Sequence, residues 1–492
     1  MFRFFYIIGL LIKYAFIYLL LKLNLYKKPK PKLLRNFFEE AGGSFIKFGQ
    51  ILALRVDFLP KEYSLEMMDM FDNVGSFPYE DVKAIFIREL GAPPEKIFKD
   101  FQKEPFASAS FGQVHGAKLE NDHIVAVKVQ RPDIEEKVAV DFIIITILAT
   151  IADLFFKIDA LTWKEFTAEF KKWTRQELDY QIEASSMNIM SKNAIANPDI
   201  VVPKTFPHIS TRRILVADYI EGIPLSRVLR GLKDGRLTIE DLEDMDIDIK
   251  KVPRTFTYEL LREFFLEKTF HADPHPGNIL ILPKGRIALI DFGIVGNSIT
   301  HNKSDFIKFT KSAAESDHFK ATYHFANYSS DELRSIIGSA IPANFSEEEI
   351  EKIMTQLADY FSKAVFKITQ SSRKKLDAMK TDYALVFLQI VKAAKKLKIR
   401  FPKEATLFFR TFVIVGLLAK ELDKDFKPSE EVKRFFKDYP EEVLLRNVEE
   451  QLPFKRVSRE RAIEKLNSWL AYLVEIDPSL YQIVKKSLKE YN

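Results

Sequence analysis

A chain of 492 residues has room for two or three domains' worth of core, and 47% hydrophobic with 29% charged residues excludes bulk disorder. Its 74 basic and 69 acidic side chains leave a net charge of +5, too mild to imply nucleic acid as a partner. With no cysteine, disulfides and thiolate zinc sites are excluded.

The N-terminus, Phe4 to Leu21, is an almost continuous apolar run. It has about the length of a spanning helix, roughly 20 residues, yet Lys13 sits in its middle, where insertion costs about 2.5–3.5 kcal/mol. A basic tract follows at once, Lys27-Lys28-Pro-Lys30-Pro-Lys32 with Arg35. A helix lying in the membrane interface or docked on the protein, its lysines facing anionic headgroups, fits both features. A true span is the alternative. A cleaved signal peptide fits less well, since the apolar part is long and no small-residue cleavage site follows. The expected location is the cytoplasmic face of a membrane, peripheral or with a single anchor.

Residues 36–100 read as helices: Phe37 to Leu54, then Lys61 to Asp72 after Pro60, then Tyr79 to Leu90, stopped by Gly91 and Pro93-Pro94. The first carries Lys47-Phe-Gly-Gln50, and residues three apart share a helix face. On spacing alone this is an exposed polar pair.

From Phe101 the pattern turns to strands. Ala107-Ser108-Ala109-Ser110 opens a small-residue loop, and Ile124 to Val129 is a β-branched strand bearing Lys128. A buried sheet tolerates a lysine only when it is paired or reaches a ligand. Small-residue loop, hairpin and Val-Ala-Val-Lys in this order match the nucleotide-binding end of a kinase, where the lysine holds phosphates. Val138 to Phe156 is apolar, but Asp141 and Asp153 speak against a span, and it reads as a buried core helix. Leu161 to Ser191 reads as one charged helix with Glu177-Leu-Asp179 and Glu183. At about 100° per residue, Asp179 and Glu183 share a face while Glu177 points away. At least one of Glu177 and Glu183 is a candidate partner for Lys128, against the bland alternative of a solvated acidic face. Arg213 to Tyr219 is a further strand.

The stretch from His271 to Gly293 carries the strongest signal. Apolar runs Ile279–Leu282 and Ile287–Ile290 flank Lys284-Gly285 as a hairpin. With Lys284 and Gly285 as a two-residue loop, Asn278 faces Asp291, with Asp273 just before. Oxygen ligands converging in this way suit a hard cation such as Mg²⁺ between protein and phosphates. Asp-x4-Asn followed by Asp-Phe-Gly is the grammar of kinase-like phosphotransferases. His271, Asp273 and His275 also allow a metal-hydrolase reading, against which His271 is a histidine that braces the loop. Beyond Gly296 the chain reads as amphipathic helices, among them Ile350–Ile368, Tyr383–Lys398, Lys403–Leu422, Pro440–Gln451 and Val457–Tyr491.

Lys47-Phe-Gly-Gln50, Ala107–Ser110, Val-Lys128, Glu177-Leu-Asp179, His271-Ala-Asp273-Pro-His-Pro-Gly-Asn278 and Asp291-Phe-Gly293 together resemble the UbiB family of atypical protein-kinase-like proteins. The resemblance covers roughly residues 35–300, with similar helical sequence to about Phe426. It implies an α+β, bilobal kinase-like fold with a helical N-terminal extension covering the cleft and a large helical C-terminal part. The expected division is a membrane helix and basic tract (1–35), the Lys-x-Gly-Gln extension (36–100), an N-lobe (101–222), a C-lobe (223–430) and a C-terminal extension (431–492). It implies ATP and Mg²⁺ as cofactors. Lys128 would sit on the phosphates, Asn278 and Asp291 on the metal, Asp273 near the acceptor, and Asp218 and Tyr219 at the hinge whose backbone pairs with adenine. Lys47, with Gln50 in the same regulatory motif, lies on the extension, and Lys47 would meet the Glu177/Asp179 motif, with Lys128 paired to an acid of the same stretch, Glu183 foremost. Alanines and serines replace the glycines that let backbone N–H groups approach phosphate, so phosphate geometry should depart from that of ordinary kinases. The implied function is an ATPase with restrained kinase activity that supports polyprenyl quinone (ubiquinone) biosynthesis at a membrane. Implied partners are ATP, a lipid or quinone precursor and quinone-biosynthesis proteins. The rival readings are a small-molecule phosphotransferase resembling aminoglycoside and choline kinases, and a nucleotide-gated pseudokinase adaptor for lipids.

Overall fold

The computed structural model describes residues 2–23, 29–53, 61–68, 75–108, 111–155, 162–298, 303–315, 317, 320, 321, 324, 328 and 403–446. Ala109 and Ser110 lie outside these residues, as do the expected helices Ile350–Ile368, Tyr383–Lys398 and Val457–Tyr491. The chain divides into two compact units, one of Met1–Ile247 with Asp273–Val295, the other of Asp248–Ala272 with Gly296–Asn492.

The first unit opens with α1 (Phe2–Lys22), α2 (Lys30–Ala41), α3 (Ser44–Ala53), α4 (Lys61–Met68) and α5 (Tyr79–Leu90). The single helix expected over Phe37–Leu54 is two. Gly42 and Gly43 take φ of 65° and 56°, a left-handed conformation that glycine enters without a Cβ penalty. A Cβ on Gly43 would also stand 3.1 Å from Asp141 Oδ2. The break turns α3, and with it Lys47, away from the line of α2.

A five-stranded sheet follows, built from β1 (Asp100–Phe101), β2 (Ala107–Ser108), β3 (Gly112–Lys118), β4 (Ile124–Gln130) and, later in the chain, β6 (Ile214–Asp218). β3, β4 and β6 form an antiparallel core in which Lys128 faces Val114 on one side and Leu215 on the other. Val125, Val127 and Val129 alternate into a core shared with Val82, Ile85 and Phe86 of α5, as a period of two requires.

Between β4 and β6 run α6 (Ile134–Phe155), α7 (Trp163–Glu177), α8 (Tyr180–Ala194) and β5 (Ile200–Val201). The expected continuous helix Leu161–Ser191 breaks at Leu178-Asp179, because Asp179 leaves helical geometry to cap α8, its carboxylate accepting from Gln181 N at 3.1 Å. The expected facing of Asp179 with Glu183, and of Glu177 away from both, therefore does not hold. α6 also departs from the expected buried core helix. One face enters the core through Val138, Phe142 and Ile145, but Val140, Ile143, Ile147, Ile151 and Leu154 are exposed. It is not a fully buried helix.

β7 (Ile223–Pro224), α9 (Leu225–Lys233) and α10 (Ile239–Asp244) precede the hairpin β9 (Ile279–Ile281) and β10 (Ile287–Leu289), which forms a four-stranded sheet ordered β5-β10-β9-β7. The hairpin is present, but its register is one residue from that expected. Ile281 pairs with Ile287, and Leu282 N donates to Arg286 O at 2.9 Å. The loop is thus Pro283-Lys284-Gly285, with Lys284 and Gly285 at φ 62° and 66°. Proline has no N–H for the ladder, so Arg286 cannot receive from Pro283 as a strand partner would. Asn278 O accordingly accepts from Ile290 N at 3.1 Å, and Asp291 stands one residue beyond the pair.

The second unit holds α11 (Lys251–Leu266), β8 (Thr269–His271), all but the first residue of its partner strand β11 (Val295–Asn297), α12 (Lys303–Ala314), α13 (Lys403–Leu422), α14 (Pro428–Asp438) and α15 (Glu441–Arg446). Its core is aromatic. Phe264 and Phe408 stand 4.1 Å apart between centroids, with Phe306, Phe409 and Phe435 around them. Buried beside it, Glu263 accepts the backbone N–H of His271 at 2.8 Å.

Candidate active site

Five elements of the first unit deliver the charged side chains that the sequence singled out. β4 carries Lys128, α8 carries Glu183, the end of α7 carries Glu177, α3 carries Lys47, and the segment after β10 carries Asp291. Lys128 Nζ lies 2.9 Å from both oxygens of Glu183 and 3.2 Å from Asp291 Oδ2. Its ammonium also stands 5.0 Å from the ring centre of Tyr180, a favourable placement for a cation. Lys47 Nζ lies 3.0 Å from Glu177 Oε1. Asp291 is braced from the other side, its Oδ1 accepting from Gly293 N at 3.0 Å.

The local sequence explains these placements. The break at Asp179 starts a new helix whose first turn brings Glu183 inward; Glu183 is 1% exposed. Glu177, at the last position of α7, sits at the negative end of a helix dipole, which disfavours its charge. Its ionised form needs a cation, and Lys47 supplies one. Gly293 lies close to both carboxylates: a Cβ there would stand 3.3 Å from Asp291 Oδ1, which would have to give by a few tenths of an ångström, and 3.4 Å from Glu177 Cγ.

The electrostatics follow from burial opposed by charge. Burial disfavours the ammonium of Lys47, but Glu177, Asp273 and Asp291 outweigh it and hold its pKa above the usual lysine value. Lys128 likewise stays charged against burial because of Asp291 and Glu183. Burial pushes Glu177 up, with Lys47 pulling it back. Burial pushes Glu183 up to about 7, partly offset by Lys128. Asp291 is held well below the ordinary carboxylate value: burial opposes its charge, and Lys128, Lys47 and the Gly293 N–H prevail. The two partners of the Lys128–Glu183 contact pull in opposite senses. The two 2.9 Å contacts, one to each carboxylate oxygen, fit an ion pair once pH exceeds about 7 and Glu183 has lost its proton.

Among the described residues, two buried atoms here find no hydrogen-bond partner: Glu177 Oε2 and Tyr180 Oη. Buried polar groups are satisfied as a rule, so an orphaned carboxylate oxygen beside Asp291 fits a site for a cation. Among the described residues no three His, Cys, Asp or Glu side chains converge as a ready metal cage. That removes support for a hydrolase triad of His271, Asp273 and His275. His275 instead accepts from Gly277 N at 3.2 Å, capping the turn before β9.

The remaining expected residues fall as follows. Asp273 and Asn278 are half-buried on the segment leading into β9. Gln50 is one turn beyond Lys47 on α3. Asp179 is a helix cap. Asp218 bonds His123 Nε2 at 2.8 Å and Lys204 N at 3.1 Å, so its carboxylate serves the fold. The Tyr219 ring lies edge-on to Phe106 at 5.7 Å. Ala107 and Ser108 pair with Val114 and Gln113. Tyr180 and Gly112 were missed in the sequence: a Cβ on Gly112 would stand 2.5 Å from Tyr180 Oη. The sequence signal for that contact was slight, an aromatic residue directly after the capping Asp179.

A sequence profile described as "ABC1 atypical kinase-like domain" matches residues 69–324. The chain belongs to that family. This is the family that the motifs resembled under the name UbiB. "Uncharacterized protein in hydrogenase 1 5'region" of Clostridium pasteurianum is 31% identical over 405 residues, covering 81% of this chain and 69% of that protein. "Protein ACTIVITY OF BC1 COMPLEX KINASE 3, chloroplastic" of Arabidopsis thaliana is 34% identical over 280 residues, 56% of this chain but 38% of the plant protein. "Protein ACTIVITY OF BC1 COMPLEX KINASE 8, chloroplastic" of the same plant is 28% identical over 424 residues, 83% of this chain and 54% of that protein. The solved complex of Rv3197 with erythromycin from Mycobacterium tuberculosis covers 78% of this chain and 93% of its own at 20% identity and a TM-score of 0.41, too distant to carry an assignment. An ABC1 kinase-like domain with mixed helix and sheet thus houses the Lys128–Glu183–Asp291 cluster.

Proposed function

We propose that the chain is an atypical kinase-like enzyme that binds ATP with Mg²⁺, hydrolyses it or transfers its phosphoryl group under restraint, and supports polyprenyl quinone biosynthesis at a membrane. The observation that carries the chemical part is Lys128 held at once by Glu183 and Asp291, at 2.9 and 3.2 Å. Kinase-like catalysis requires such a positioned lysine beside the metal-holding aspartate.

When bound, Mg-ATP supplies the transferable phosphoryl group and the metal charge that stabilises its departure. Lys128 neutralises phosphate charge. Asp291 and Asn278 offer oxygens to the metal, and the unpartnered Oε2 of Glu177 offers a further one. Asp273 orients the acceptor, water or a hydroxyl. Lys47 is the restraint: its ammonium already occupies Glu177 Oε1 and bears on Asp273 and Asp291, so it competes for the carboxylates that a metal would use. The quinone part rests on the family resemblance and on plant relatives whose names refer to the activity of the bc1 complex.

The test is Mg-dependent ATP hydrolysis by the full chain, with Asp291→Asn as control. Hydrolysis that exceeds the control supports the enzyme. Turnover equal to the control leaves a nucleotide-gated adaptor, and ready phosphorylation of free alcohols points to a small-molecule kinase. An unchanged profile of quinone precursors in a strain lacking the protein would remove the biosynthetic part.

A further inference from the structure

The only charged residues of α6 after Lys137 are Asp141 and Asp153, and both are turned into the protein. Asp141 is buried and accepts from Arg3 Nε at 2.9 Å and from Ser44 N at 3.1 Å. Asp153 accepts from Trp163 N at 2.7 Å and Lys164 N at 3.2 Å, at the start of α7. The hydroxyls of Thr146 and Thr150 are spent on carbonyls four residues back in the same helix. What α6 shows outward beyond Lys137 is Val140, Ile143, Ile147, Ile151 and Leu154, one helical stripe in which Ile143 and Leu154 are 62% and 74% exposed. A helix that satisfies its polar groups internally and exposes only aliphatic side chains over about four turns is suited to hydrocarbon.

α1 has the same division. One face is pinned to the protein: Arg3 to Asp141, Lys13 Nζ to Glu40 Oε1 at 2.6 Å, Tyr14 Oη to Glu40 Oε2 at 2.9 Å, and Tyr6 Oη to Glu40 O at 2.9 Å. Ile7 and Leu10 are buried beneath it. The opposite face exposes Phe5, Ile12, Phe16, Leu19 and Leu23 at the spacing of one helical stripe. Lys13, the residue that argued against a span, is thus neutralised by Glu40 rather than by a headgroup. A helix crossing the bilayer would strip four polar side chains of their partners, whereas a helix lying on the surface keeps them all. From Lys22 through Lys32 the sequence has five basic residues and no acidic one; Arg35, next along, is spent on Glu39 and Glu66.

We infer that the exposed stripes of α1 and α6, neighbours joined by the Arg3–Asp141 ion pair, form one monotopic docking face for a bilayer surface of anionic lipid, to which the lysines that follow α1 in sequence add attracting charge. Paired apolar stripes supply the insertion and the lysines supply the charge, the two contributions that stable interfacial binding combines. The inference rests on the membrane part of the reading above and is independent of its chemistry.

Flotation of the full chain, without nucleotide, on phosphatidylcholine vesicles with and without phosphatidylglycerol tests it. The variants are Ile143→Glu with Ile151→Glu on α6, and Ile12→Glu with Phe16→Glu on α1. All four positions are exposed, and an unchanged circular dichroism melt checks the fold. Wild type should float with the anionic vesicles at least tenfold more than with neutral ones, and each double variant should lose tenfold or more. Unchanged flotation of the α6 variant overturns the inference and leaves α1 as sole anchor. Indifference to phosphatidylglycerol overturns the anionic surface. Unchanged flotation with an oligomer broken by the α6 variant overturns it in favour of a second copy on that face.

Discussion

The ammonium of Lys47 stands 3.0 Å from Glu177 Oε1, joining residues 130 apart in the chain. Both side chains are about 15% exposed, so the pair is neither a surface ion pair nor a fully dry one. Removing one partner of a fully buried pair costs about 3–5 kcal/mol. Lys47→Met should cost less, on the order of 2 kcal/mol, because residual exposure screens Glu177. The same variant should raise affinity for Mg²⁺ in a fluorescent-nucleotide binding assay, since Glu177 and Asp291 lose a competing cation. Denaturant unfolding and Mg²⁺ titration check the two halves separately.

Glu183 makes stability depend on pH. Its carboxyl is pushed up to about 7 from an ordinary 4.5. Between those values the folded chain holds a proton that the unfolded chain has released, so stability falls as pH rises through that window. Each pH unit of the gap is worth at most about 1.4 kcal/mol. Glu183→Gln should flatten this part of the profile in denaturant unfolding at pH 5 and pH 7.5.

Asp141 ties α6 to α1 and to the first N–H of α3, the helix bearing Lys47. Asp141→Ala should speed hydrogen exchange across residues 44–53 about tenfold, the effect of a lost helix cap worth roughly 1–2 kcal/mol. Exchange over α5 should not change, because its core is formed with the sheet.

Gly112→Ala should destabilise by about 1–3 kcal/mol, because the added methyl meets Tyr180 Oη at 2.5 Å and Val129 O at 2.7 Å. Relief of the first contact by Tyr180→Phe, measured as a partial recovery of Tm, would show that the hydroxyl is the obstacle.

Much of this was legible in one dimension. The β-branched strand around Lys128, the hairpin after Asp273 and the helix Tyr79–Leu90 follow from period, Gly and Pro, which act over a few residues. Elements shifted where a single side chain overrode the local pattern. Asp179 chose to cap rather than continue a helix, two glycines turned between α2 and α3, and Pro283 withheld an N–H and moved a hairpin by one residue.

Pairing was another matter. Residue types announced two lysines and several carboxylates, and the family order limited who could meet whom. Only tertiary structure assigned Lys47 to Glu177 and Lys128 to Glu183, because the break at Leu178-Asp179 decides the directions in which the two glutamates point. The sequence likewise marked α1 as apolar and α6 as a core helix. Which face of each is spent on the protein depends on Asp141 and Glu40, residues distant in the chain, and no local periodicity records such contacts.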